Sequence, residues 1–188
     1  MNGLYAQMIN QRLSEKIQTE NPPYLFSFSG YGASLGKYKK EYSIVVNVKD
    51  GMFAEGLKAA MVENERVRRY GFTSGELERT KALYLNAYDR RAKEADKAQS
   101  GSLVNTYLKH LLNGGTLMSE QQELDLMNQL LPEIKVEELN QLVKGWIKED
   151  NQIIMITAKT EEEANIPSEV ELKSIITGVT SDQSITPY

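Results

Sequence analysis

Few side chains in this sequence could do covalent or metal chemistry. There is one histidine, His110, and no cysteine, which excludes thiolate nucleophiles, Fe–S clusters, disulfides and cysteine-ligated zinc. A serine nucleophile needs a histidine base. The only one lies mid-helix in Tyr107-Leu108-Lys109-His110-Leu111, and no serine sits in the surroundings of a strained nucleophile elbow. His110 reads as an edge or partly buried structural residue rather than a metal ligand. The carboxylate runs Glu161-Glu162-Glu163 and Glu137-Glu138 point in different directions on a helix, so they read as solvent-facing rather than as an acid and base pair. Gly30, Gly32 and Gly36 surround Tyr31 and Ser34. They fall between two expected antiparallel strands rather than ahead of a helix, which fits a hairpin loop and not a phosphate cradle.

Composition sets the frame for these residues. The chain has 188 residues, 22 Lys+Arg against 26 Asp+Glu, and a formal net charge of −4, enough for one well-packed domain or two small ones. So balanced a charge gives no general attraction to nucleic acid or anionic lipid. The local cluster Arg66, Arg68 and Arg69 reads as the solvated face of a helix. No apolar run approaches the roughly 20 residues that span a bilayer, and the N-terminus lacks the form of a signal peptide. A soluble chain is expected, with no nucleic-acid and no membrane partner.

The elements that would position any site follow from periodicity. Tyr5, Met8, Ile9, Arg12, Leu13, Lys16 and Ile17 recur at helical spacing, predicting a helix from about Leu4 to Thr19 that Asn21-Pro22-Pro23 ends. This helix opens almost at Met1 with no strand before it, the pattern expected of an internal piece of a longer protein. Alternation predicts strands around Tyr24 to Ser29 and Tyr42 to Val48, joined by a turn-rich stretch from Gly30 to Lys40. A helix over Phe53 to Tyr70 ends at Gly71, and Thr73 with Glu76 forms a capping box for a long helix that Ser100-Gly101-Ser102 should break. A second stripe, Leu103 to Leu112, follows. Ser119 caps a helix through Leu131, a helix starts at Val136, Ile153 to Ala158 reads as a third strand, and Pro167-Ser168 opens a last helix. The expected core comprises Leu57, Met61, Leu77, Tyr84, Leu103, Tyr107, Val143 and Trp146. The order predicts an α+β fold, a small antiparallel sheet covered by helices on one face, in a single domain over residues 1–177 with a tail or linker at 178–188.

Several runs, taken in order, resemble one family: Met8-Ile9-Asn10-Gln11-Arg12-Leu13-Ser14-Glu15, Asn21-Pro22-Pro23-Tyr24-Leu25-Phe26, Gly71-Phe72-Thr73 with Glu76-Leu77-Glu78-Arg79-Thr80-Lys81, and Leu131-Pro132-Glu133-Ile134 with Glu137-Glu138-Leu139. Together they look like the second, non-catalytic domain of pitrilysin/insulinase-type zinc metallopeptidases (family M16). The resemblance implies a LuxS/MPP-like metallohydrolase fold and a partner domain that carries an inverted zinc motif, His-x-x-Glu-His, which this chain lacks. It implies zinc in the parent protein and none here, because such a site takes two imidazoles and a carboxylate plus a carboxylate base.

Many members of that family also pair an arginine with a tyrosine seven residues later to hold substrate. Tyr24 stands at the tyrosine position and is the candidate substrate-binding residue, although its plain reading is an aromatic on the buried face of a strand. The arginine position falls near Ile17 or Gln18, so no cation is present to stabilise a developing oxyanion, and a complete pair would come from the other half of the parent. No catalytic and no metal-binding residue is expected in this chain. The implied role is to pack on the zinc domain and wall a peptide-binding chamber, in the periplasm or cytoplasm of a bacterial parent. The alternative is a non-peptidase assembly or scaffold protein of the same fold. Because related domains begin with one more strand, the isolated chain is expected to self-associate through an open sheet edge or to close the gap with Ile153 to Ala158.

Overall fold

A computed structural model describes residues 1–33, 39–97, 100–114, 116–148 and 150–188. Seven helices and two strands follow one another as α1 (Asn2–Glu15), β1 (Phe26–Ala33), β2 (Lys40–Asn47), α2 (Phe53–Tyr70), α3 (Ser74–Lys93), α4 (Ser100–Asn113), α5 (Glu120–Leu130), α6 (Val136–Trp146) and α7 (Glu169–Ser181) among the described residues. The fold is α+β, mostly helical, with an antiparallel two-stranded sheet whose register runs from Phe26 opposite Asn47 to Ala33 opposite Lys40. The chain divides into two compact units, Met1–Glu76 with Val136–Tyr188, and Leu77–Lys135.

In the first unit, α1 lies on β1 and on α2, and α2 meets β2, α6 and α7. Leu4, Tyr5, Met8, Ile9 and Leu13 of α1 are buried, as are Ala60 and Val67 of α2, Leu139 and Val143 of α6 and Val179 of α7. The strands turn a surprising side to this core. Ser27 and Ser29 are buried, whereas Phe26 and Phe28 are about half exposed. Period-two alternation identifies two faces of a strand but does not say which one receives the helix. Small serines let α1 approach closely, and Asn10 reaches Ser29 to accept from its backbone N–H (2.8 Å) and donate to its carbonyl (3.0 Å).

Caps follow the sequence closely. Gly71 ends α2 at φ +71°, and a Cβ there would lie 2.3 Å from the Asn140 side chain, so both backbone sign and space require glycine. The Thr73 hydroxyl accepts from the Glu76 N–H and the Glu76 carboxylate accepts from the Thr73 N–H. Ser119 with Gln122 and Ser168 with Glu171 form two more capping boxes.

Several expectations are corrected. Ile153 to Ala158 is not a strand: no ladder bonds it to β1 or β2, and Ile153 and Met155 are 91% and 86% exposed. An alternating apolar run fits an extended backbone, but only a hydrogen-bonding neighbour makes it a strand, so it does not close the sheet. Gly30 to Ala33 belong to β1 rather than to a turn; Ser34 and Gly36 lie outside the described residues. The first helix ends its α-form at Glu15 and adds a 3-10 turn over Lys16–Gln18. The long helix stops at Lys93, before Ser100. Leu103 and Tyr107 are exposed, not core, and so is His110.

The end of the chain is no frayed tail. α7 runs through Gly178 to Ser181, Ile185 is buried, and the Tyr70 hydroxyl donates to the Ile185 carbonyl at 2.8 Å. The expected solvated arginine face is likewise half-buried and engaged. Arg69 donates to the carbonyls of Thr180 (2.8 Å), Val179 (3.3 Å) and Asp182, the negative end of the α7 dipole, while Arg68 and Arg69 share the Glu65 carboxylate. Burial pushes Glu65 upward, but these two guanidinium groups outweigh it and hold the carboxyl below its ordinary value.

Candidate functional site

Tyr24 precedes β1 by two residues and is fully buried; its hydroxyl donates to the Leu13 carbonyl at 2.9 Å. The proline pair Pro22-Pro23 steers the chain from α1 back beneath it, and the phenol satisfies a carbonyl in the last turn of α1, which has no intrahelical partner. Burial first, then the charge of Glu63, push its pKa up to about 12, so it stays a neutral donor across physiological pH. Glu63 is itself fully buried, with Lys16 at 3.2 Å and Arg66 at 3.7 Å as its ion-pair partners. Ile17 and Gln18 sit in the 3-10 turn, and the cation nearest this end of α1 that engages a carboxylate is Lys16.

The strongest polar assembly in this unit is centred on Arg12. Three and four residues from Ile9 and Met8, its side chain falls within the buried stripe of α1. Arg12 donates from Nε to Glu76 Oε1 (2.6 Å) and from Nη2 to Glu76 Oε2 (2.8 Å) and the Gly71 carbonyl (3.2 Å). Its guanidinium lies over the rings of Phe72 (4.9 Å) and Tyr188 (4.2 Å). Burial raises the Glu76 pKa, but bonds from Arg12 and Thr73 and the Arg12 charge prevail and hold it below the usual carboxylate value. Asn140 completes the junction by accepting from the Phe72 N–H (2.8 Å) and donating to the Phe72 carbonyl (3.0 Å). A cation at an apolar phase of a helix is the sequence signal for such a buried pair; spacing alone did not name Glu76 as its partner.

On its outer face the sheet presents Phe26, Phe28 and Val45, each nearly half exposed. A depression of about 230 Å³ is lined by Phe28, Gly30, Gly32, Glu41 and Ser43 together with Tyr31 and Ala6 of α1. The inner face holds an aromatic group in which Trp146 stacks on Tyr31 at 4.6 Å and meets the Tyr5 edge at 5.2 Å.

These residues do not fit a catalytic zinc. Among the described residues no three His, Cys, Asp or Glu side chains are grouped to hold a metal ion, and the lone imidazole is on exposed α4, without a second nitrogen ligand anywhere in the sequence. A zinc held by two imidazoles would need at least one of them from outside this sequence.

No family model matches the chain. A zinc protease PQQL-like protein from Arabidopsis thaliana is 32% identical over 92 residues, 49% of this chain and 10% of that protein. The periplasmic protease PqqL from Escherichia coli superposes with a TM-score of 0.84 at 17% identity, over 99% of this chain and 21% of its own. The first half of PqqL gives 0.81 at 16% identity, with 99% of this chain and 40% of that one covered. An insulinase family protease from Yersinia pestis gives 0.75 at 14% identity, over 96% and 38%. The chain thus spans about a tenth of the curated relative and a fifth of PqqL. The fold over the full chain is that of a segment of PqqL and of an insulinase family protease, and the sequence over about half of the chain is similar to a segment of a zinc protease PQQL-like protein.

Proposed function

We propose that this chain is the second, non-catalytic domain of a zinc metallopeptidase. It packs on a domain that carries His-x-x-Glu-His and supplies part of the wall of the peptide-binding chamber, in a soluble compartment such as the periplasm. The observation that carries the reading is the combination of a fold shared with a fifth of PqqL over 99% of this chain with a single histidine and no cysteine, too few imidazoles for a His-x-x-Glu-His zinc site. The outer sheet face, with Phe26, Phe28 and Val45 about half exposed, is the wall that a peptide would meet. Tyr24 acts there from beneath, as a neutral hydrogen-bonded prop that fixes the end of α1 against the entry to β1. The purified chain incubated with unstructured peptides, with and without zinc, is expected to show no chelator-sensitive cleavage; such cleavage overturns the reading. A His-x-x-Glu-His motif encoded upstream in the same reading frame supports it.

Self-association through a sheet edge belongs to the same proposal. Asn10 already satisfies both backbone groups of Ser29 that face away from β2, so the outer edge of β2 is the edge available for pairing. Light scattering over a concentration series is expected to show mass rising with concentration, and a mass that stays constant removes this part.

A further inference from the structure

α4 is amphipathic in sequence, yet its apolar side chains are exposed. At 100° per residue Leu103, Val104, Tyr107, Leu108, Leu111 and Leu112 fill one half of its circumference, while Asn105, Thr106 and His110 share the other half. All six apolar side chains are exposed, from 41% at Leu103 to 77% at Leu111. Together they offer about 600 Å² of apolar surface, the top of the range for the largest patch on a monomeric protein. Leu117 and Met118, which follow the helix in sequence, are exposed as well. A helix of 14 residues is marginal in water unless its apolar face is covered.

We propose that this face of α4 is the docking surface for an adjoining domain of the same polypeptide, one that presents an apolar, uncharged patch. The proposal rests on the reading of the chain as one domain of a longer peptidase. Charge limits the occupant: α4 holds no Asp or Glu and a single lysine, so neither a basic nor an acidic partner gains from it. Helices that lie in a lipid interface carry polar faces rich in Lys and Arg, which α4 lacks. Length points the same way. The chain covers 40% of the first half of PqqL, so more than one further chain-length of polypeptide lies in that half alone, enough for a domain of similar size to meet the helix.

Amide hydrogen exchange over residues 103–112 tests this in two samples, the 188-residue chain alone and the protein as translated in its source organism. Fast exchange is expected in the first and at least tenfold slower exchange in the second, with Leu111→Glu and Leu112→Glu together abolishing the difference and leaving β1 and β2 amides unchanged. Equal exchange in both samples overturns the proposal, as does a source protein no longer than this chain. Protection in the isolated chain that grows with its concentration assigns the face to a second copy, and protection that appears only with anionic phosphatidylglycerol vesicles assigns it to lipid; either outcome overturns it too. Failure of the peptidase reading is seen elsewhere, in a source polypeptide that has an adjoining domain but no His-x-x-Glu-His.

Discussion

α1 and α4 are both 14 residues long and both amphipathic, and α4 has the cleaner apolar half. Yet Leu4, Tyr5, Met8, Ile9 and Leu13 of α1 are buried, while every described side chain of α4 is exposed. The weaker stripe found a sheet and a second helix to cover it, and even holds a buried cation because Glu76 and two aromatic rings receive it. An amphipathic pattern states the need for a partner. It does not state that the partner is in the same chain.

The sharpest way to break this contrast is at Arg12. Arg12→Ala leaves Glu76 buried and unpaired, and a loss of about 3 to 5 kcal/mol is expected in urea unfolding; Arg12→Met together with Glu76→Leu is expected to recover much of it. A loss under about 1 kcal/mol for the single variant would mean that the pair is hydrated and α1 is no different from a surface helix. Next, Leu13→Ala is expected to cost about 2 to 5 kcal/mol by the cavity it leaves.

Acid should act on the first unit before it affects α4. Glu76 and Glu65 have folded pKa values below their ordinary ones, so the stability they contribute is present above the unfolded carboxyl value near 4.5 and is lost as pH falls through the lower folded values. Glu76→Gln is expected to flatten that part of the acid unfolding curve; an unchanged slope argues against the pair.

Tyr24 has the opposite sign. Its folded pKa, raised to about 12 from 10.0, makes its contribution complete below pH 10 and lost as pH rises towards 12. Tyr24→Phe is expected to cost about 1 kcal/mol at neutral pH and to reduce the alkaline loss, read by circular dichroism across that window. The smallest effect is expected at Leu108→Ala on α4, within about 0.5 kcal/mol for the isolated chain. A loss comparable with Leu13→Ala would show that α4 is buried within the chain after all.

The sequence by itself determined the elements whose causes are local. α2 was legible over its full length, and Thr73 with Glu76, Ser119 and Pro167-Ser168 marked helix starts because a cap acts within the first turn. The antiparallel pairing of β1 and β2 was legible from alternation, and one histidine with no cysteine rules out a two-imidazole or cysteine-ligated zinc site within the sequence. Tertiary structure alone decided matters that depend on neighbours distant in sequence. It turned Ser27 and Ser29 inward and Phe26 and Phe28 outward, left Ile153 to Ala158 without a strand partner, and folded the last residues back so that Tyr188 lies on Arg12. It joined Arg12 to Glu76 across 64 positions and left Leu103 and Tyr107 in water. Periodicity reports how a backbone is coiled and which residues share a face; burial requires a second surface, and that surface is specified by the packing of the whole chain.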